Sequence, residues 1–142
     1  MIQVINNYSK TAIYSEHNEA VTFMEELTLR YPSEAALIFH IPNEGRRNPW
    51  TGKYLKQEGM KSGVPDYFLP VAAGSYHGLF IELKRRFKAV LTPTQIQWLD
   101  TLQEQGYAVA VAYGAEAAIT IINAYLNEEH HDDTILLMII SY

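Results

Sequence analysis

Apolar positions in this chain fall into blocks that switch between a helical and an extended period. From Ser15 to about Arg30 the pattern predicts a helix capped by Ser15, with Val21, Met24, Leu27 and Thr28 on one side. Leu37-Ile38-Phe39-His40-Ile41 predicts a buried strand ending at Pro42, and Asn48-Pro49 opens a short helix running through Lys56 that Gly59 ends. Tyr67 to Val71 and Leu79 to Leu83 are short aromatic and branched runs around Ala72-Ala73-Gly74-Ser75-Tyr76-His77-Gly78, the signature of two strands and a hairpin loop. Thr92 to Gln105 is the clearest helix, with apolar Ile96, Trp98, Leu99 and Leu102 and a stop at Gly106. A strand from Ala108 to Tyr113 and a helix from Ala115 to Leu126 follow. This order requires an α/β fold in which helices flank a mixed central sheet. Without repeats or long linkers, residues 1–142 read as one domain, with a core over about 15–126 and a C-terminal extension over 127–142.

Two segments lie outside that core. Ile2, Val4 and Ile5 give a weak strand signal, and Ile135-Leu136-Leu137-Met138-Ile139-Ile140 is an apolar hexad. Left uncovered, such a hexad is an aggregation-prone strand, so it is expected to pair as an added edge strand or in a dimer contact.

The hairpin concentrates the chemistry. In an antiparallel pair the numbers of facing residues have a constant sum. A turn centred on Gly74 makes that sum 148, which sets Asp66 opposite Glu82 and Phe68 opposite Phe80. Lys84, two residues beyond Glu82, points to the same face. Facing carboxylates repel, and burying either one unpaired costs several kcal/mol, on the order of a desolvation penalty. A bound cation removes both costs. An all-oxygen set of Asp66, Glu82, the Leu83 carbonyl and waters suits Mg2+, with Mn2+ able to substitute, rather than zinc. Such an ion polarises a phosphate and lowers the pKa of an attacking water, while Lys84 holds that water or offsets charge on the phosphate. On its own, Glu-x-Lys is a common pattern of solvated strands and makes an ion pair at most; the apolar surroundings and compatible register set this instance apart.

Composition narrows the function classes. The chain has 142 residues, 48% of them apolar, and is long enough for one sizeable core. It has no cysteine, so disulfides and thiolate metal sites are excluded, which fits a reducing cytoplasm. No apolar run reaches membrane-spanning length and no signal-peptide pattern opens the chain, so an intracellular protein without a membrane partner is expected. The net charge of −5 conceals an asymmetry. Nine of the eleven basic residues (Arg46, Arg47, Lys53, Lys56, Lys61, Lys84, Arg85, Arg86 and Lys88) lie between Glu44 and Lys88 against four acids, a local charge of +5. The remainder carries two bases against twelve acids, or −10. Basic residues that bracket the acidic pair are placed as phosphate contacts should be.

Gly63-Val64-Pro65-Asp66, Gly78-Leu79-Phe80-Ile81-Glu82-Leu83-Lys84, Leu91-Thr92-Pro93-Thr94-Gln95-Ile96-Gln97-Trp98-Leu99 and Gly106-Tyr107-Ala108-Val109 together resemble the VRR-NUC family of the PD-(D/E)XK nuclease superfamily. The likeness spans about Ser15 to Leu126 and includes Ile41-Pro42-Asn43 and Leu55-Lys56-Gln57-Glu58-Gly59. It implies a restriction-endonuclease-like core and Mg2+-dependent DNA cleavage. It also implies the small stand-alone form common in phages and prophages, a homodimer, and a preference for branched or junction DNA. Carried over, Asp66 and Glu82 match the metal-binding acids, Lys84 the motif lysine, and Gln95 a glutamine after the motif strand. The family's first-helix glutamate fits Glu16 best, with Glu19 one turn on as the alternative. Ala20 stands where the family often has glutamine, and Glu44 where it has glycine after Asn43. Asn43, Arg46, Arg47, Lys53, Lys61, Arg85 and Arg86 are the expected DNA contacts, acting by charge with little base readout. No organic cofactor is implied.

Several features have plainer readings. Thr92-Pro93-Thr94-Gln95 is a capping box, which explains Gln95 without catalysis and is compatible with both roles. His130-His131-Asp132-Asp133 reads as a solvated turn, His40 as a hydrogen-bonded core residue, and His77 as a hairpin-loop residue. No usable serine or cysteine nucleophile pattern and no phosphate-binding P-loop is present. The rival functions are a catalytically silent branched-DNA binding module and an RNA-directed nuclease; cleavage in Mg2+ and a DNA-versus-RNA substrate panel separate them.

Overall fold

The computed structural model describes residues 15–42, 49–86 and 89–127. The weak strand signal near the N-terminus, Asn43, Arg46, Arg47, Lys88, the His-His-Asp-Asp run and the 135–140 hexad lie outside the described residues. Helix α1 (Glu16–Arg30) leads into a short α2 (Pro32–Ala35) and strand β1 (Phe39–His40). After α3 (Pro49–Gln57) come β2 (Tyr67–Leu69), β3 (Leu79–Lys84), α4 (Pro93–Glu104), β4 (Ala108–Tyr113) and α5 (Ala115–Leu126). The strands form one mixed sheet in the order β1-β2-β3-β4, antiparallel across β1–β2 and β2–β3 and parallel across β3–β4. This is the expected α/β class. Among the described residues no helix is long and apolar enough to cross a membrane.

The hairpin register is Tyr67 opposite Ile81, Phe68 opposite Phe80 and Leu69 opposite Leu79, the pairing expected from a turn at Gly74. β2 stops at Leu69 because Pro70 has no N–H for the ladder. Alternation along the strands then separates two faces. Tyr67, Leu69, Leu79, Ile81, Leu83, Ala108, Ala110 and Ala112 join Phe23, Leu27 and the buried face of α5 in the main core. The opposite face carries an aromatic row, in which Phe68 stacks on Phe80 at 4.3 Å and Tyr107 meets Phe80 edge-on at 5.3 Å. Beyond that row, at the C-terminal end of β3, come Glu82 and Lys84.

Two expectations are corrected. The buried face of α1 is Glu19, Phe23 and Leu27, whereas Val21 and Thr28 are exposed. A helical stripe through Glu19 is hidden from a hydrophobic pattern because its first member is a carboxylate. The Leu37–Ile41 run is not a buried strand either. Only Phe39 and His40 are extended, at the sheet edge, with Phe39 51% exposed and His40 exposed as well. His40 is therefore not a core histidine; its ring lies edge-on to Tyr67 at 5.2 Å.

Candidate active site

Four side chains meet where β2, β3 and the N-terminus of α4 come together. Glu82 is 2% exposed and Lys84 nearly as buried, on adjacent same-face positions of β3. The Lys84 Nζ lies 3.1 Å from Glu82 Oε1. Gln95 Nε2 donates to the same Glu82 oxygen at 2.6 Å, and Lys84 Nζ donates to Gln95 Oε1 at 3.2 Å. Gln95 also closes the cap of α4. Its backbone N–H donates to Thr92 Oγ1 at 3.3 Å, and its Oε1 accepts the Thr92 N–H at 2.9 Å. One side chain thus anchors a helix start and orients a buried carboxylate.

Asp66 enters from the loop ahead of β2. Its Oδ2 accepts the Leu83 N–H at 2.8 Å, and its backbone carbonyl accepts the Ile41 N–H at 2.7 Å. Three features of the loop hold it there. Pro65 is fully buried, Trp98 Nε1 donates to the Ser62 carbonyl at 3.0 Å, and Gly63 lies against Thr94 of α4. Gly63 has φ +84°, and a Cβ at that position would come within 2.7 Å of Thr94 Cγ2 and 3.0 Å of its backbone carbon. Glycine is required on both counts.

Pro65 has a second consequence. Carbonyls of Gly78 and Lys84 point to β4, where they accept the Ala108 and Gly114 N–H groups. The odd-numbered residues between them therefore face β2. Continued by two residues, the register sets Pro65 opposite Leu83. Proline has no N–H, so the ladder bond it would donate to the Leu83 carbonyl cannot form.

The electrostatics are unfavourable to two ionised carboxylates. Burial, and then the neighbouring Asp66, push the Glu82 carboxyl up from 4.5 to about 7, against the opposing pull of Lys84. Burial likewise raises Asp66, offset in part by the Leu83 N–H and the charges of Lys84 and His40. Glu82 Oε2 is buried and has no hydrogen-bond partner. A buried lone acceptor costs about 1–3 kcal/mol, more when charged, so the arrangement is the one a bound cation would relieve. The residues fit a hard divalent ion: Asp66, Glu82 Oε2 and the Leu83 carbonyl are all oxygen donors.

Glu16 stands in the first turn of α1, exposed, and its charge adds to the raising of both Asp66 and Glu82. It faces the site electrostatically but does not close a ready-made cage. Among the described residues no group of three His, Cys, Asp or Glu side chains could hold a metal. Glu19 is committed elsewhere. It is buried, pairs with Arg86 Nε at 2.8 Å and accepts the Ala115 N–H at 2.8 Å at the start of α5. Arg86, expected among the DNA contacts, is thus turned inward to Glu19. Sequence reading had no means to find this strut, because its members are 67 and 96 residues apart. Lys53, Lys61 and Arg85 are exposed. His40, missed as a site neighbour, is near enough for its charge to lower Asp66.

Comparison with known proteins bears on the family and the fold. A family model for the VRR-NUC domain matches residues 14–116. Among solved structures, a VRR_NUC domain protein is 27% identical, with a TM-score of 0.70 over 80% of this chain and 89% of its own. No curated protein matches.

Proposed function

The chain belongs to the VRR-NUC family of nuclease-type domains, and from that premise we propose that it is a Mg2+-dependent endonuclease that hydrolyses DNA phosphodiester bonds. The observation that carries the reading is the buried, unpartnered Glu82 Oε2 beside Asp66, two carboxyls whose proton affinities burial raises although Lys84 opposes it. Asp66, Glu82 and the Leu83 carbonyl would hold the ion, with Glu16 contributing across one or more waters, and Mn2+ is expected to substitute. When bound, the cation supplies Lewis-acid polarisation of the phosphate and a lower pKa for the attacking water.

The chain's own groups do the rest. Lys84, held at the end of β3, presents its ammonium where charge develops on the phosphate or where the nucleophile must be aligned. Gln95 fixes Lys84 and Glu82 relative to one another by bonding both, so the pair does not have to be ordered during the reaction. Lys53, Lys61 and Arg85 hold the DNA backbone by charge, which leaves selection to DNA shape and branching rather than to sequence. Acting as a homodimer, the protein would make two cuts related by a two-fold axis, as a four-way junction requires.

The test is a panel of fluorescent duplex, flap, junction and single-stranded DNA and RNA substrates, incubated with wild type and Asp66→Asn in Mg2+, Mn2+ and EDTA. Cleavage of branched DNA in either metal, lost in the variant and in EDTA, is the expected result. Cleavage that persists in EDTA or in the variant overturns the proposal.

A further inference from the structure

Helix α3 carries its largest apolar side chains on the wrong side for a core. At 100° per residue, Trp50, Lys53, Tyr54 and Gln57 share one face, while Gly52 and Leu55 lie on the other. Gly52 and Leu55 are half-buried, and the whole Trp50 face is exposed, with Trp50 67% and Tyr54 60% accessible. The two rings are one turn apart, which places them side by side with Lys53 flanking them. Lys56 and Lys61 add exposed positive charge.

We propose, building on the nuclease reading, that this face of α3 is a stacking platform for unpaired nucleotides. The occupant follows from the chemistry. Flat rings accept bases of any sequence on their faces, and interleaved lysines pair with the phosphates of the same strand. A strictly apolar partner would leave Lys53 desolvated without a counter-charge. Chain geometry ties the platform to the active site. Gln57 precedes Asp66 by nine residues, at most about 30 Å of extended chain, and the intervening loop is fastened to α4 through the Ser62 carbonyl and Gly63. Unpaired bases on α3 would therefore lie a few nucleotides from the bond being cut. That gives the active site a physical reason to select DNA with a single-stranded or branched element.

The test is binding of the full chain, in EDTA, to a fluorescein-labelled oligonucleotide in single-stranded form and as a blunt duplex of equal length. Trp50→Ala and Tyr54→Ala are each expected to weaken single-strand binding about tenfold, with Trp50→Phe retaining most of it and duplex affinity nearly unchanged. Single-strand binding is also expected to quench the protein's tryptophan fluorescence, and Trp50→Ala to abolish that quenching. Since both rings are exposed, these variants should fold. Unchanged single-strand affinity, or an equal loss on both forms, overturns the proposal. So does a shift from dimer to monomer without a change in DNA affinity, which would assign the face to a second copy. If the ring-dependent binding holds while wild type cleaves no substrate on the panel, it is the nuclease reading that fails, and the platform stands.

Discussion

Replacing Glu82 by glutamine should stabilise the metal-free protein while removing its function. Glu82 and Asp66 are two carboxyls set against one ammonium, Lys84, in a buried site. Raising the Glu82 carboxyl from 4.5 to about 7 corresponds to about 3 kcal/mol at roughly 1.4 kcal/mol for each factor of ten. The sign follows from proton uptake. Between pH 4.5 and about 7 the folded protein binds more protons than the unfolded chain, so stability falls as pH rises through that window and is lowest above it. Asp66, also raised, acts in the same direction. Glutamine keeps the shape and removes the charge. Losing the 3.1 Å ion pair with Lys84 offsets part of the gain, since Asp66 remains to balance the ammonium. Thermal unfolding in EDTA from pH 5 to 8.5 should therefore show Glu82→Gln about 1–3 kcal/mol more stable than wild type at pH 8, some 3–10 °C in Tm, and nearly equal at pH 5. Adding Mg2+ should stabilise wild type, more at pH 8 than at pH 5, and leave the variant unmoved. A variant less stable than wild type at pH 8, or one stabilised equally by Mg2+, would refute the reasoning.

Other substitutions test the supports of the site. Gln95→Ala removes half of the capping box and a hydrogen bond to a charged carboxylate, so urea unfolding should report a loss of about 1–2 kcal/mol, with reduced cleavage beyond it. Gly63→Ala forces a Cβ against Thr94 at a positive φ and should cost about 1–3 kcal/mol by the same assay while displacing the Asp66 loop and slowing cleavage. Arg86→Ala strands the buried Glu19 and should destabilise by about 3–5 kcal/mol, with Arg86→Lys recovering part, as measured by chemical denaturation.

The centre of the fold was legible because local rules determine it. A hairpin turning at Gly74 fixes a register, and that register alone sets Asp66, Glu82 and Lys84 on one side of the sheet. Thr92 to Gln95 likewise specifies its own cap. Readings failed where tertiary partners decide. Glu19 reads as the alternative to Glu16 in the site, yet an arginine just past β3 and the first N–H of α5 hold it buried elsewhere. For the same reason Arg86 looked like a phosphate contact. Phe39 and His40 read as core because their run is apolar, but among the described residues β1 is the edge strand and both are exposed. The rings of α3 gave no functional signal in sequence, since periodicity does not tell which face of a short helix turns outward. The role of Pro65 emerges only once the register shows which ladder bond its missing N–H removes.

The central claim is that Asp66 and Glu82 share a divalent cation, and diffraction from crystals of the protein soaked in Mn2+ tests it most directly. The account predicts an anomalous peak bound by Asp66 and by Glu82 Oε2, with the Leu83 carbonyl beside it, and no such peak in Glu82→Gln crystals. Manganese bound only elsewhere, with Glu82 Oε2 still lacking a partner, would contradict it.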